Sequence, residues 1–257
     1  CLSDWSSDVC SSDLSHIGHV HGVIARTGSG SNGLSAFLVE SDRKGVSLGA
    51  YRPALGLRGF SFGEVILDQV RIPATNRIGE EGDGLAIAYS SSILYGRPNL
   101  TAVALGLHQA VVDETVHEAQ TRHRYNQPLA KLGVVRQKIG LLRHRLTTAR
   151  LLAYDASHRL DLGHPCDEEL INAKYYNVEA CLDSARAAME IWGAAGLLAD
   201  NPIERLLRDA YCIYPPAGTG DIQLYRLAEI ALDAYPGPWS QYPSDPPQTP
   251  PPPPPPP

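Results

Sequence analysis

Between Cys212 and Gln223 the chain reads CIYPPAGTGDIQ. The two prolines stiffen the approach, because each ring fixes φ and restricts the residue before it. Gly218 and Thr219 then open a helix, where the first backbone N–H groups lack intrahelical acceptors and can serve a ligand. Thr219 is also a sound N-cap. If such a loop lines an active site, a carboxylate or imidazole must stand near it to move a proton. Asp221 is the nearest carboxylate, and at a helix start it is more simply a complement to the dipole. His16, His19 and His21 in HIGHVH are three imidazoles, a number that can hold zinc. No acidic or Cys partner lies beside them, so exposed strand histidines are the expectation. DRKG and RHRYNQ read as ordinary surface charge.

The chain has 257 residues, of which 43% are hydrophobic, enough to bury a core. A net charge of -6 argues against nucleic acid as the main partner, since phosphate binding needs clustered Lys and Arg. No apolar run approaches the length that crosses a bilayer. No charged-then-apolar leader is read, and five scattered cysteines without a CxxC fit a reducing, cytoplasmic setting. The segment CLSDWSSDVCSSDL reads as a translated sequencing adapter, so residues 1–14 are set outside the fold and the protein is expected to be a fragment. PPQTPPPPPPP closes a Pro-rich stretch, and residues 236–257 are expected to be a disordered tail.

The elements that must position the loop follow from periodicity. VHGVIART, LSAFLVES and EVILDQVRI are β-rich runs separated by GSGSNG, DRKG and GLRGF, so 15–78 reads as a partial β-domain. Helix begins at Gly84 and extends to about 124, with Pro98 expected to kink or restart it. A second helix, about 134–160, carries Val135, Ile139, Leu142, Leu146, Ala149 and Ala153 on one stripe. A third starts after Asp167, read as its N-cap, with Ile171, Tyr175, Val178, Leu182, Ala185, Met189 and Trp192 in line. A shorter helix follows Gly220. The fold class is α+β: a partial β-domain, then a C-terminal up-and-down four-helix bundle over 79–235.

Five stretches, in order, carry a resemblance. LGLRGFSFGEVILDQVRIPATNRIGEEGDGLAIA, LYGRP, TRHRYNQPLAKL, EIWGAAGLLADNPIERLLRDA and PAGTGDIQ are similar to successive signatures of the flavin-dependent acyl-CoA dehydrogenases. The match spans about 20–232. The resemblance implies bound FAD, α,β-desaturation of an acyl thioester on CoA or a carrier protein, a homotetramer or homodimer, and electron exit through an electron-transferring flavoprotein. It assigns Arg122 to the FAD of a neighbouring subunit, as a fork that clasps pyrophosphate oxygens; otherwise it is a solvated charge at a helix end. Tyr125 stands where an aromatic lies against the cofactor, or packs at a helix terminus. Gly193 and Gly196 match a turn that lets backbone approach the cofactor, or form a helix C-cap. Gly218 and Thr219 match the Gly-Thr of the cofactor loop, with Asp221 just beyond. Arg97 matches an Arg beside the acyl-thioester pocket, or pairs with a surface carboxylate.

The departures bear on catalysis. The family's α-proton base is a Glu immediately before Gly-Thr, where this chain has Ala217. In other members the Glu precedes the Arg matching Arg97, where this chain has Gly96. Glu190 replaces a Gln at the cofactor, Gly133 another Gln, Trp192 a smaller or polar residue, and Phe62 a Thr. Two further readings therefore stand beside the dehydrogenase: a non-catalytic partner subunit, and a flavin monooxygenase-like relative on the same fold. The truncated chain itself is expected to be inactive and to hold FAD weakly.

Overall fold

A computed structural model of the chain describes residues 9–13, 15–30 and 33–240; the remaining parts of the two expected terminal segments lie outside the described residues. Six strands precede the helices: β1 Val9–Asp13, β2 Val20–Arg26, β3 Leu34–Glu40, β4 Val46–Tyr51, β5 Phe62–Leu67 and β6 Arg77–Ile78. They form two three-stranded antiparallel sheets, in the orders β1-β5-β4 and β2-β3-β6. The three β-rich runs are strands as expected. Sequence reading missed β4, whose SLGAY carries no clean alternation, and β1, which it had set aside. The reason for β1 is general: the edge of β5 presents unpaired N–H and C=O groups, and backbone pairing asks little of side chains.

The helices are α1 Gly84–Ser91, α2 Arg97–Thr121, α3 Gly133–Asp161, α4 Asp167–Trp192, α5 Pro202–Cys212 and α6 Gly220–Ala231. Pro98 does restart the first stretch. Ser92–Gly96 form a π-turn, the Arg97 N–H bonds back to the Ser92 carbonyl, and Pro98 sits in the first turn of α2, where its missing N–H is no loss. Gly84 opens α1 against β3, where a Cβ would lie 2.6 Å from the Ser35 nitrogen.

The expected stripes face inward. Leu142, Leu146, Ala149, Val178, Leu182, Ala185 and Trp192 are buried, with Ile139 and Met189 partly buried against the same clusters. Pairs between α3 and α4 march in opposite directions: Arg159 with Glu169, Asn177 with the Ala149 carbonyl, Arg145 with Asp183. Gln109–Arg150 sets α2 against α3 the same way. Consequently α2 and α4 run parallel, packed directly against one another. The helix α4 is buried nearly all round, and α5, which periodicity had not singled out, packs on it as a fifth member.

Two helix ends differ from expectation. Cys166, not Asp167, is the N-cap residue of α4. The Asp167 carboxylate turns instead to the chain after α6, accepting from the Tyr235 hydroxyl and the Trp239 and Ser240 N–H groups at 2.7 Å each. With Trp239 stacked on Tyr89, residues 235–240 form a strap over the bundle end, so part of the expected tail is folded. The strands are tied to the bundle at the GLRGF turn: Leu57 N–H donates to Asp209 at 2.6 Å, and Arg208 to the Leu55 carbonyl at 2.9 Å.

One core group makes stability depend on pH. His108 on α2 is fully buried, and neither ring nitrogen has a partner among the described residues. Burial, then the nearby Arg145 and Arg150, lower its pKa from 6.5 to about 4. The unfolded chain takes this proton near pH 6.5 and the folded chain only near pH 4, so stability falls as pH drops through that window, by up to about 3 kcal/mol from this group. Urea unfolding between pH 7 and 4 should show this slope and His108→Leu should flatten it. An unchanged slope in the variant contradicts the assignment.

Candidate functional site

The Gly-Thr loop is held from inside the bundle. Lys174 on α4, 1% exposed, donates from Nζ to the Gly218 carbonyl at 2.7 Å and reaches the Tyr214 carbonyl at 3.4 Å. Gln223 in the first turns of α6 is fully buried and donates from Nε2 to the Ala217 carbonyl at 2.8 Å and the Gly218 carbonyl at 3.1 Å. Its Oε1 accepts from Arg97 Nε at 3.0 Å. With three loop carbonyls turned inward, Ala217 and Gly218 take φ of 53° and 90°. Glycine suits the second value, and a Cβ there would meet Gln223 Nε2 at 2.7 Å. The N–H groups of Gly218 and Thr219 find no acceptor among the described residues. Thr219 is the N-cap residue of α6, as expected, although its hydroxyl makes no capping bond.

Arg97 is not a surface charge: it is 6% exposed, and its Nη1 is buried without a partner among the described residues. Burial lowers its pKa, while Tyr235 and Asp167 nearby oppose that effect. The guanidinium stays protonated, and an unmatched buried donor calls for an acceptor. Burial, and then Arg97, likewise bring Lys174 from 10.5 down to about 8. Gly96 lies at the same place: a Cβ there would stand 3.5 Å from the Ala217 Cβ. Asp221 is exposed in the first turn of α6.

The other predicted residues gather at the far end of α2. Arg122 follows the last turn of α2 and donates twice from Nη1, to Glu118 at 3.1 Å and to the Trp192 carbonyl at 2.6 Å. It thus caps the C-terminus of α4, where a cation also complements the dipole. Tyr125, 84% exposed at φ 54°, stands beside it, and Gly193 (φ 61°) is the C-cap of α4. Together with Lys138 and Glu190 they line an open cleft of about 290 Å³. Glu190 is paired with Lys138, so its charge is compensated rather than facing the cleft alone. Trp192 Nε1 is buried there with no acceptor among the described residues. Gly196 does not join this group; it is buried under Trp192 and Ile203, where a Cβ would stand 3.0 Å from the Trp192 Cβ. The histidines do not assemble a metal site: no cluster of three potential ligands occurs among the described residues.

Residues 82–232, more than half of the chain, match the family model of the acyl-CoA dehydrogenase C-terminal domain. The chain belongs to the acyl-CoA dehydrogenase family. It is 34% identical over 212 residues to the 3-(aryl)acrylate reductase of Clostridium sporogenes, a match covering 82% of this chain and 56% of that protein. The butyryl-CoA dehydrogenase of Megasphaera elsdenii superposes with a TM-score of 0.84 at 26% identity, over 86% of this chain and 58% of the other. A prolyl acyl carrier protein oxidase, AnaB, superposes with a TM-score of 0.82 at 28% identity, over 86% of this chain and 59% of the other. The chain thus spans little more than half the length of its relatives.

Within this acyl-CoA dehydrogenase family frame the sequence had marked the two ends of α2 but not their supports. Lys174 and Gln223 were missed because one falls in a helix read for its apolar stripe and the other closes the loop motif, where attention went to Gly218 and Thr219. Lys138 was not singled out. Their signal is weak in sequence: a Lys flanked by Ala173 and Tyr175 on a buried face. Gln223→Leu removes two carbonyl partners and leaves Arg97 Nε unpaired. It is expected to cost about 2–4 kcal/mol in chemical denaturation, whereas Asp221→Asn leaves stability unchanged. Equal effects of the two contradict the network.

Proposed function

We propose that this chain is the C-terminal part of an FAD-dependent oxidoreductase acting on the CH–CH bond of an acyl thioester. The observation that carries this reading is the meeting of Gly96, Ala217, Arg97 and the Gly-Thr loop, with donors among them that have no partner among the described residues. These residues fit the acceptor-rich edge of a flavin and the carbonyl of a thioester. Gly218 and Thr219 N–H groups would hold the cofactor, and Arg97 Nη1 would bind the thioester side. Bound FAD would supply the hydride acceptor.

The residues proposed for the ligands stand at both ends of α2, whose 25 residues at 1.5 Å each separate Arg97 and Arg122 by about 37 Å. One extended dinucleotide does not span that distance. The Arg122 cleft, with Tyr125 and Gly193 at its rim, would therefore hold part of a second FAD, from another copy of the chain in a homodimer or homotetramer. A guanidinium and an indole N–H suit phosphate or ribose oxygens. Electrons would leave to an electron-transferring flavoprotein.

Desaturation also needs the α-proton removed, and the two positions that converge on the substrate side carry a methyl group and a hydrogen. That favours a second reading, in which the flavin is used without a local base, as in an oxygen-using relative. The likeness to a carrier protein oxidase supports a carrier-bound thioester for that case. In the protein with its preceding segment, Ala217→Glu is expected to raise desaturation of a short acyl-CoA by roughly 10²–10⁴-fold, followed by bleaching of the flavin absorbance. Robust desaturation by the unsubstituted protein, abolished by Asp221→Asn, contradicts this. Oxygen uptake by the reduced protein with no acyl-CoA turnover in Ala217→Glu supports the second reading.

A further inference from the structure

The buried ammonium of Lys174 has no carboxylate partner among its hydrogen bonds: it spends its protons on the carbonyls of Gly218 and Tyr214. Charge-assisted bonds are about twice as strong as neutral ones, and burial sharpens them. Burying an amine without an ion pair is costly, and an apolar side chain of similar length would fill the same space more cheaply. A second buried cation, Arg97, stands near enough to lower the Lys174 pKa further. The stability of α4 does not account for such a residue. What it does accomplish is to fix the direction of two carbonyls, while Gln223 fixes a third.

We infer that Lys174 is a positioning residue: by drawing the Tyr214 and Gly218 carbonyls inward it turns the Gly218 and Thr219 N–H groups toward the ligand and sets the place of Ala217 opposite Gly96. This rests on the reading of the loop as the flavin loop only for the identity of the ligand; the pinning itself stands on the geometry. Gln223 cannot replace it, since it does not reach Tyr214. Burial and Arg97 lower the Lys174 pKa and Glu179 on the same helix opposes them, for a net value of about 8, so the charge-assisted grip weakens as pH rises through that value, and loop order follows.

The test compares Lys174→Met and Lys174→Arg with the unsubstituted chain by amide hydrogen exchange, thermal unfolding and titration with FAD. In Lys174→Met, exchange over 213–220 is expected to rise about tenfold or more while the middle of α4 is unchanged and Tm is held or raised. Lys174→Arg is expected to recover part of the protection. Unchanged exchange over 213–220 overturns the inference, as does a rise spread evenly over α4 with a lowered Tm, which marks a purely structural residue. The FAD titration, made on the full-length proteins rather than on this chain alone, separates the two readings. If neither protein binds FAD and the loop still loosens, the pinning holds and the flavin reading fails. If FAD binds both equally and the loop does not loosen, the pinning fails and the flavin reading holds.

Discussion

A loop of five residues cannot hold three carbonyls away from water without partners, and here they are supplied from the bundle by one ammonium and one carboxamide. Everything at the candidate site depends on that exchange. Because the carbonyls face inward, Ala217 takes a left-handed φ, the amides after it find no acceptor among the described residues, and the Ala217 methyl meets Gly96. Arg97 is drawn into the same network through Gln223 and keeps one buried nitrogen unmatched. The network links α2, α4 and α6 to the loop, and positions 96 and 217 face each other beside it.

The helix α2 then acts as a ruler. Its start is fixed by the π-turn and Pro98, which place Arg97 under the loop, and its end by Arg122, which caps α4. The two ends lie at separate places on the bundle, and at the second the Lys138–Glu190 pair stands beside two further cations, Arg122 and Arg124. The Arg122 guanidinium caps α4 and also lines the cleft. Gly196, by contrast, is explained by close packing under Trp192 alone.

Much of this was legible in the sequence, for physical reasons. Three-and-four spacing marks α3 and α4 because a 3.6-residue period must present its apolar side to a core. Pro98 announces a helix start because it lacks a donor. The order of motifs marked Arg97 and the Gly-Thr loop, which the structure links through Gln223, even though neither alone is specific. What could not be read was every contact made across long sequence distance by a residue of unremarkable type. Lys174, Gln223 and Asp167 each bond backbone groups 5–73 residues away, and nothing in their neighbours marks it. Asp167 shows the limit well: its type and place gave a cap, while its carboxylate ties down the strap at 235–240 instead.

The claim on which the account rests is that the two positions able to carry a base meet at one point. It can be tested by replacing Gly96 and Ala217 together with cysteine and oxidising the protein under mild conditions. A Cβ at position 96 would stand 3.5 Å from that of Ala217, at the short edge of the span a disulfide closes. A bond between the two new thiols, found by peptide mapping in nearly all molecules, is the predicted result. Both thiols remaining free to alkylation, or pairing only with Cys212, would contradict it.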